Sequence, residues 1–253
     1  MPERAGTLLV IPTYNEADNI ERLIREVAAQ ALPLDILVID DNSPDGTGRL
    51  AESLSREIPL KVIHRKGKLG IGSAHKEGFR YALEHGYATT VTMDADFAHS
   101  PECLREMFRA AATSDVVVGS RYLDGGGLQG WGLPRLLLTH TAHWLTNHLL
   151  AIPYDCTGGF RLYHTRVLDR IHFGEIQSEG YAFLIEMLFH VHQQGFSVTE
   201  IPIVISSRRL GKSKISRSEI LRAVKLLLRL SLQRMRGMDF RKFRSKERIG
   251  ESP

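Results

Sequence analysis

Short apolar runs that end in polar clusters alternate along the chain with stretches of helical periodicity. Leu8-Leu9-Val10-Ile11 reads as a buried strand ended by Pro12. Ile20, Leu23, Ile24 and Val27 then recur at helical spacing, with Asn15 or Asp18 as the expected cap and Pro33 just past the end. Ile36-Leu37-Val38-Ile39 is the next strand, and Asp40-Asp41-Asn42-Ser43-Pro44-Asp45-Gly46 is a dense turn signal. A short helix is expected over residues 50–58, a strand over 60–64, a glycine-punctuated loop over 66–72 and a helix ending near Gly86. The same reading gives a strand over 91–96, a helix over 101–112 and a strand over 116–118. Farther on, residues 136–152 are apolar without a formal charge, and Gly158-Gly159-Phe160-Arg161-Leu162-Tyr163 looks like a turn into a short strand. Residues 181–192 form an apolar helical stretch carrying Glu186, and 198–205 a strand whose Pro202 favours a sheet edge.

Strands alternating with helices argue for βαβ units, hence an α/β fold around a mostly parallel central sheet. Such sheets bind ligands beyond the carboxyl ends of their strands. Here those ends carry Thr13-Tyr14-Asn15-Glu16, Asp40-Asp41, Asp94-Ala95-Asp96 and Gly119-Ser120-Arg121. Alternate residues of an extended chain point the same way, so Asp94 and Asp96 are expected to face one cleft. Two hard oxygen donors at that spacing suit a divalent cation with positions left open for phosphates.

Composition bounds the alternatives. At 253 residues, 43% hydrophobic and 25% charged, the chain has the make-up of a soluble globular protein with a full core. Two cysteines exclude a disulfide framework and a Cys-rich zinc site. The N-terminus enters its first strand with no signal-peptide pattern, and no run of about 20 apolar residues is present, so a cytoplasmic location is expected. The net charge of +4 is unevenly spread: residues 208–253 hold 15 Lys/Arg against 4 Asp/Glu, and residues 1–207 hold 18 against 25. A tail at +11 beside a body at −7 implies an anionic partner, a membrane surface or a nucleic acid.

Several motifs fail. The third glycine after Gly70-x-Gly72 comes only at Gly78, so the dinucleotide fingerprint is absent. Ser206 stands where a P-loop ending in Gly211-Lys212-Ser213 requires glycine. His140, His143 and His148 do not share a helix face, and there is no Gly-x-Ser-x-Gly elbow.

Other motifs occur together and in order. Pro12-Thr13-Tyr14-Asn15-Glu16, Asp40-Asp41-Asn42-Ser43-Pro44-Asp45-Gly46-Thr47 and Met93-Asp94-Ala95-Asp96 resemble the nucleotide-sugar half of a family 2 glycosyltransferase with the GT-A fold. Lys68-Leu69-Gly70-Ile71-Gly72, Gly119-Ser120-Arg121-Tyr122, Trp131 with Arg135, Thr157-Gly158-Gly159-Phe160-Arg161, Ser178-Glu179-Gly180-Tyr181 and Arg208-x-x-Gly211-x-Ser213-Lys214 narrow it. The set is similar to the dolichol-phosphate mannose synthase family and its bacterial polyprenyl-phosphate counterparts, over roughly residues 7–215.

That resemblance implies a catalytic unit over residues 1–214 that transfers mannose from GDP-mannose to a polyprenyl monophosphate with inversion. It implies donor-nucleotide contacts at Pro12, Tyr14, Glu16, Asp41, Lys68 and Asp94, and Mg²⁺ or Mn²⁺ on Asp94 and Asp96. It implies acceptor-phosphate contacts at Arg121, Arg135, Arg208 and Lys214, with Asp96, Arg121 and Arg135 as the catalytic set. Arginine's planar fork suits phosphate oxygens. Arg161 and Lys68 each read either as structural or as a phosphate contact. Plainer readings stand beside these: Tyr14 as a core aromatic, Glu16 as a first-turn acid, each arginine as a surface ion pair. Two departures from the family pattern bear on the site. Ala98 stands where the family often has Gln or Ser, and Ser207 where the family pattern has an acid before the arginine. Another sugar such as glucose, or sugar-nucleotide binding without catalysis, remains an alternative.

Residues 215–253 are expected to be a basic amphipathic helix and tail. Ile220, Leu221, Val224, Leu227, Leu228 and Met235 fall on one helical face, and Arg222, Lys225, Arg229 and Arg236 on the other. Arg241-Lys242-Phe243-Arg244-Ser245-Lys246 suits anionic headgroups. A peripheral position at the cytosolic face of a membrane is the expectation; nothing in the tail reads as a nucleic-acid motif. An ordinary helix packed on the domain is the plainer reading of residues 215–235.

Overall fold

The computed structural model describes residues 4–206 and 217–235. Its central strand, β1, spans Arg4–Thr13, longer than the apolar run alone. Leu8, Leu9, Val10 and Ile11 are at most 1% exposed, because β1 is covered on both faces. Leu9 and Ile11 pack with Ile20, Leu23, Ile24 and Val27 of helix α1 (Ala17–Ala29). Leu8 and Val10 pack with Ala74 and Ala82 of α3 (Ile71–Glu84). Each such leucine, isoleucine or valine contributes on the order of 1.5–3 kcal/mol by leaving water. Gly78 lets α3 come this close: a Cβ there would lie 2.5 Å from Val10 Cγ1.

The remaining elements are β2 (Leu34–Asp40), α2 (Thr47–Ser53), β3 (Leu60–His64), β4 (Tyr87–Thr92), α4 (Leu104–Ala111) and β5 (Val116–Ser120). They continue as β6 (Gly127–Gln129), α5 (Leu133–Leu150), β7 (Arg161–His164), α6 (Thr165–Arg170), α7 (Ala182–Gln193), β8 (Val198–Pro202), β9 (Val204–Ser206) and α8 (Arg217–Met235). The seven-stranded sheet has the order β3-β2-β1-β4-β7-β5-β8, and β6 pairs with β9 apart from it. All pairings are parallel except those of β7, which runs antiparallel between β4 and β5. The expected α/β architecture with a mostly parallel sheet is what forms. Pro202 ends β8 at the sheet edge.

Four local expectations change. The strand expected over 91–96 stops at Thr92, so Asp94 and Asp96 lie on the following turn. Met93 N–H still donates to Val10 O at 3.1 Å, after which the chain leaves the ladder, with Phe97 at φ +57°. Neither Asn15 nor Asp18 caps α1; its N-cap is Glu16. Ala17 N–H instead donates to Asp45 Oδ2 at 3.1 Å, from the β2–α2 turn. The helix expected over 50–58 is α2 plus one 3₁₀ turn, Leu54–Arg56. Finally, the strand expected over 198–205 is two strands, β8 and β9, which belong to separate sheets. Helix α8 packs on α5 and α7, burying Leu226, Leu227 and Leu230 while Val224, Leu228, Leu232 and Met235 stay exposed. Ile220, Leu221, Arg236 and residues 241–246 lie outside the described side chains.

Candidate active site

The order of strands reverses beside β1, with β2 and β3 on one side and β4 on the other. Loops diverge at such a switch point and leave a crevice. The crevice here is a cavity of about 240 Å³ lined by Pro12, Tyr14, Glu16, Asp41, Lys68, Gly70, Asp94, Asp96, Gly180 and Tyr181, among others. Every residue expected on the donor side is therefore in its wall.

Two adjacent aspartates divide the labour in that wall. Asp40 faces inward, accepting from Thr13 Oγ1 at 3.1 Å and from Ser43 N–H at 3.0 Å. Asp41 faces the cavity, where its oxygens accept from Arg65 Nη1 at 2.6 Å and from Gly70 N–H at 2.8 Å. The loop ahead of α3 is thereby pinned to the end of β2. The Arg65 side chain is only 5% exposed, and nothing in its local sequence marks it beyond one more basic residue. The β1–α1 turn is held as tightly. Asn15 N–H donates to Ser43 Oγ at 3.0 Å and Glu16 N–H to Thr47 Oγ1 at 2.9 Å, with Asn15 at φ +56°. Burial opposes the charge on Asp45, but hydrogen bonds from Thr47 and Ala17 hold its carboxyl below the usual range. Glu16 Oε2 accepts from Asn19 Nδ2 at 2.9 Å. Lys68 Nζ lies 4.0 Å from the centroid of the Tyr14 ring, a cation–π contact within the wall.

Asp94 and Asp96 line this cavity and a second one. Asp96 Oδ1 accepts from Ala98 N–H at 3.0 Å, which fixes the turn. His99, 2% exposed, stacks on Phe160 at 5.1 Å and sets Nε2 3.6 Å from Asp94 Oδ2. A Cβ at Gly159 would stand 3.3 Å from Asp94 Oδ1, so glycine there leaves the carboxylate room. Among the described residues no three His, Cys, Asp or Glu side chains gather as a metal cluster. Asp94 and Asp96 could hold a cation that keeps open positions. That fits Mg²⁺ or Mn²⁺ held jointly with phosphate oxygens, rather than a closed structural site.

The second cavity, about 290 Å³, runs from the carboxylates between α5, α7 and α8. Its polar lining includes Arg121, Arg135, Thr157 and Gly158; its apolar lining includes Leu138, Ala142, Leu145, Leu184, Ile185, Ala223, Val224 and Leu227. Arg121 does not project freely. Its Nε donates to Asp155 Oδ2 at 2.8 Å and its Nη2 to Thr157 Oγ1 at 2.8 Å. Burial works against the charge of both partners, yet each carboxylate–guanidinium contact prevails: Arg121 is raised and Asp155 lowered. Arg135 lies with its Cζ 3.6 Å above the Trp131 ring. Arg208 and Lys214 lie outside the described residues. Arg161 resolves to the structural alternative. It is fully buried, with Nη1 donating to Leu184 O and Nη2 to Cys156 O, both at 2.7 Å. Asp155 and His99 are the residues here that sequence reasoning missed. An acid two positions before Thr157 and a histidine three past Asp96 were the available signals.

Outside this cavity the surface is unusually apolar. Leu133, Leu137 and Trp144 on α5 are 81%, 71% and 57% exposed, and Leu228 and Met235 on α8 are 55% and 73% exposed. No helix among the described residues is long and apolar enough to cross a membrane.

The family model described as glycosyl transferase family 2 matches residues 8–172. The polyprenol monophosphomannose synthase of Mycolicibacterium smegmatis is 41% identical over 222 residues, 86% of this chain and 84% of that protein. The undecaprenyl-phosphate mannosyltransferase of Micrococcus luteus is 38% identical over 211 residues, 83% of this chain and 87% of that protein. Among solved structures, glucosyl-3-phosphoglycerate synthase from Mycobacterium tuberculosis, in complex with Mn²⁺, UDP and phosphoglyceric acid, gives a TM-score of 0.67 at 17% identity, covering 90% of this chain and 79% of that one. The mannosyltransferase PcManGT from Pyrobaculum calidifontis, in complex with GDP-Man and Mn²⁺, gives 0.58 at 17% identity, covering 100% of this chain and 67% of that one. At such identities the structural likeness concerns the fold alone.

Proposed function

This chain belongs to glycosyltransferase family 2, and on that premise we propose that it transfers mannose from GDP-mannose to a polyprenyl monophosphate at the cytosolic surface of a membrane. Its fold is the GT-A fold of glycosyltransferases. The observation that carries the reading is that a polar cavity and an apolar one meet at Asp94, Asp96 and Tyr181. A sugar nucleotide suits the first and a lipid phosphate the second, with the reacting atoms at the junction. Relatives named for polyprenol and undecaprenyl phosphates, and for mannose, support the substrate pair.

In this reading Tyr14, Glu16 and Asp41 recognise the nucleoside, Pro12 shapes the wall and Lys68 stands beside the diphosphate. Asp94 and Asp96 would hold Mg²⁺ or Mn²⁺, which supplies charge neutralisation to the departing nucleoside diphosphate. Ala98 brings no side-chain oxygen, so water and the donor would be left to complete the coordination. The acceptor is already an anion and needs no general base. One phosphate oxygen attacks C1 of the sugar, the bond from C1 to the diphosphate oxygen breaks, and the configuration inverts. What the acceptor needs is cations. Arg135 serves directly, Arg121 as a guanidinium held rigid by Asp155, with Arg208 and Lys214 completing the set.

Residues 1–214 are the catalytic unit in this scheme and residues 215–253 the membrane-associating segment, although Ala223, Val224 and Leu227 also wall the lipid cavity. The exposed leucines and Trp144 of α5, with Val224, Leu228, Leu232 and Met235 of α8, would enter the headgroup region beside exposed Arg222 and Lys225. The lipid would then reach its cavity without leaving the bilayer.

Purified protein incubated with radiolabelled GDP-mannose, Mg²⁺ or Mn²⁺ and polyprenyl phosphate is expected to yield an organic-extractable mannolipid. Product from UDP-glucose instead would reassign the sugar. Nucleotide binding without turnover on any donor would sink the enzymatic reading.

A further inference from the structure

Glu186 sits in the middle of α7, an otherwise apolar helix, and is 2% exposed. A carboxylate there costs several kcal/mol unless it is paired, and for packing alone an apolar residue would serve at least as well. The pairing is specific. Glu186 Oε2 accepts from Ser178 N–H at 2.8 Å, and Oε1 accepts from Arg229 Nη2 of α8. Arg229 also donates through Nη1 to Gln177 Oε1 at 2.6 Å. From the other side, Lys76 Nζ of α3 donates to Ile176 O at 2.6 Å.

Residues 176–178 are therefore clamped between α3, α7 and α8. The chain continues directly into Gly180 and Tyr181, which wall the polar cavity, Tyr181 lining both cavities. On α8, Leu227 lies two residues before Arg229 and lines the apolar cavity with Ala223 and Val224. One buried carboxylate thus joins the helix that would touch the lipid to the segment that would touch the nucleotide.

We propose that Glu186, with Arg229, is a positioning pair that couples occupancy of the apolar cavity to the donor-side wall at Gly180–Tyr181. The inference rests on the two-cavity functional reading above. A lipid seated against α8 holds Arg229 on Glu186 and Gln177, and this fixes Tyr181 over the sugar nucleotide. Linkage makes the effect reciprocal, so each ligand tightens the other by the same factor.

The test is titration of GDP with Mn²⁺ into the full chain in detergent, with and without polyprenyl phosphate. GDP avoids turnover. In the wild type the lipid is expected to tighten GDP by about tenfold, within the usual range for coupled sites. In the charge-removing double variant E186Q/R229M, both ligands still bind alone but the tightening falls below about twofold. Arg229→Lys, which keeps the charge, restores part of it. Gln177→Ala alters an exposed side chain and leaves the fold intact; it is expected to reduce the tightening by about half. A lower melting temperature with full tightening would mark the pair as merely structural and overturn the proposal. So would a wild type that binds both ligands independently. Failure to bind GDP or to make mannolipid would instead strike the functional reading itself.

Discussion

The two cavities are walled in opposite ways. On the donor side the wall is backbone and short side chains cross-linked by hydrogen bonds: Asp41 to Arg65 and Gly70, Asp45 to Ala17, Thr47 to Glu16. These contacts span three successive strand ends and hold them in register before any ligand arrives. On the acceptor side the wall is helices, α5 and α8, whose outer leucines face solvent. The first arrangement suits a polar, rigid ligand met from water. The second suits a long apolar one met from a bilayer, in which those exposed side chains would find an apolar solvent. Each prediction below removes a feature from one side and asks whether the other notices.

The largest effect is expected at the junction. Asp96→Ala removes a carboxylate that both cavities share. It should lower mannolipid formation by about 10²–10³-fold, the scale for losing one preorganised electrostatic contact in a transition state. Binding of Mn²⁺ with GDP, measured by calorimetry, should weaken in parallel. Retained activity would separate the carboxylates from the chemistry.

His75 tests how dry the body beneath the donor side is. Its ring stacks against Phe79 and Phe183, and among the described residues neither nitrogen has a hydrogen-bond partner. Burial pulls its pKa down to about 4. The folded value lies below the unfolded one, so folding holds the ring neutral where the unfolded chain would take a proton. Its full stability is present above pH about 6.5 and declines as pH falls toward 4, by about 3 kcal/mol. Denaturant melts should show that decline in the wild type and not in His75→Leu. Equal pH slopes would mean that water reaches the ring.

Arg135→Ala should raise the KM for polyprenyl phosphate about tenfold or more, as expected for a lost charge-assisted hydrogen bond. The KM for GDP-mannose should move far less. Equal changes in both would erase the division between the cavities.

Much of the donor side was legible because its signals are local. Leu8–Ile11 and Ile36–Ile39 are uninterrupted apolar runs, each followed at once by the polar residues that reach the cavity. The acceptor side depends on contacts distant in sequence. Arg121 meets Asp155 across 34 residues, and Glu186 meets Arg229 across 43. No spacing rule announces either pair. The antiparallel entry of β7 is set by the sheet and not by its own four residues. The end of β4 is hidden for the opposite reason. Val91 and Met93 are both buried, so their apolar pattern continues past the last paired residue and hides the turn that displays Asp94 and Asp96. On helix α8 the apolar periodicity alone does not say which residues meet α5 and α7 and which meet the surface; packing divides them between body and surface.

That division gives the smallest and most selective prediction. Leu228 and Leu232 are exposed on α8, one turn apart, and neither lines the apolar cavity. Replacing both by Ser costs the fold little, since neither side chain is buried to begin with. Burying each in a bilayer is worth on the order of 1 kcal/mol, given their partial exposure, so the double change should weaken sedimentation with anionic vesicles by about tenfold or more. Transfer to a short-chain polyprenyl phosphate in detergent should be nearly unchanged, because the cavity residues Ala223, Val224 and Leu227 remain. Loss of both activities together would mean that the outer face of α8 supports the cavity instead of the membrane contact. Unchanged vesicle binding would move the contact to α5, where Leu133→Ser with Leu137→Ser is the corresponding test.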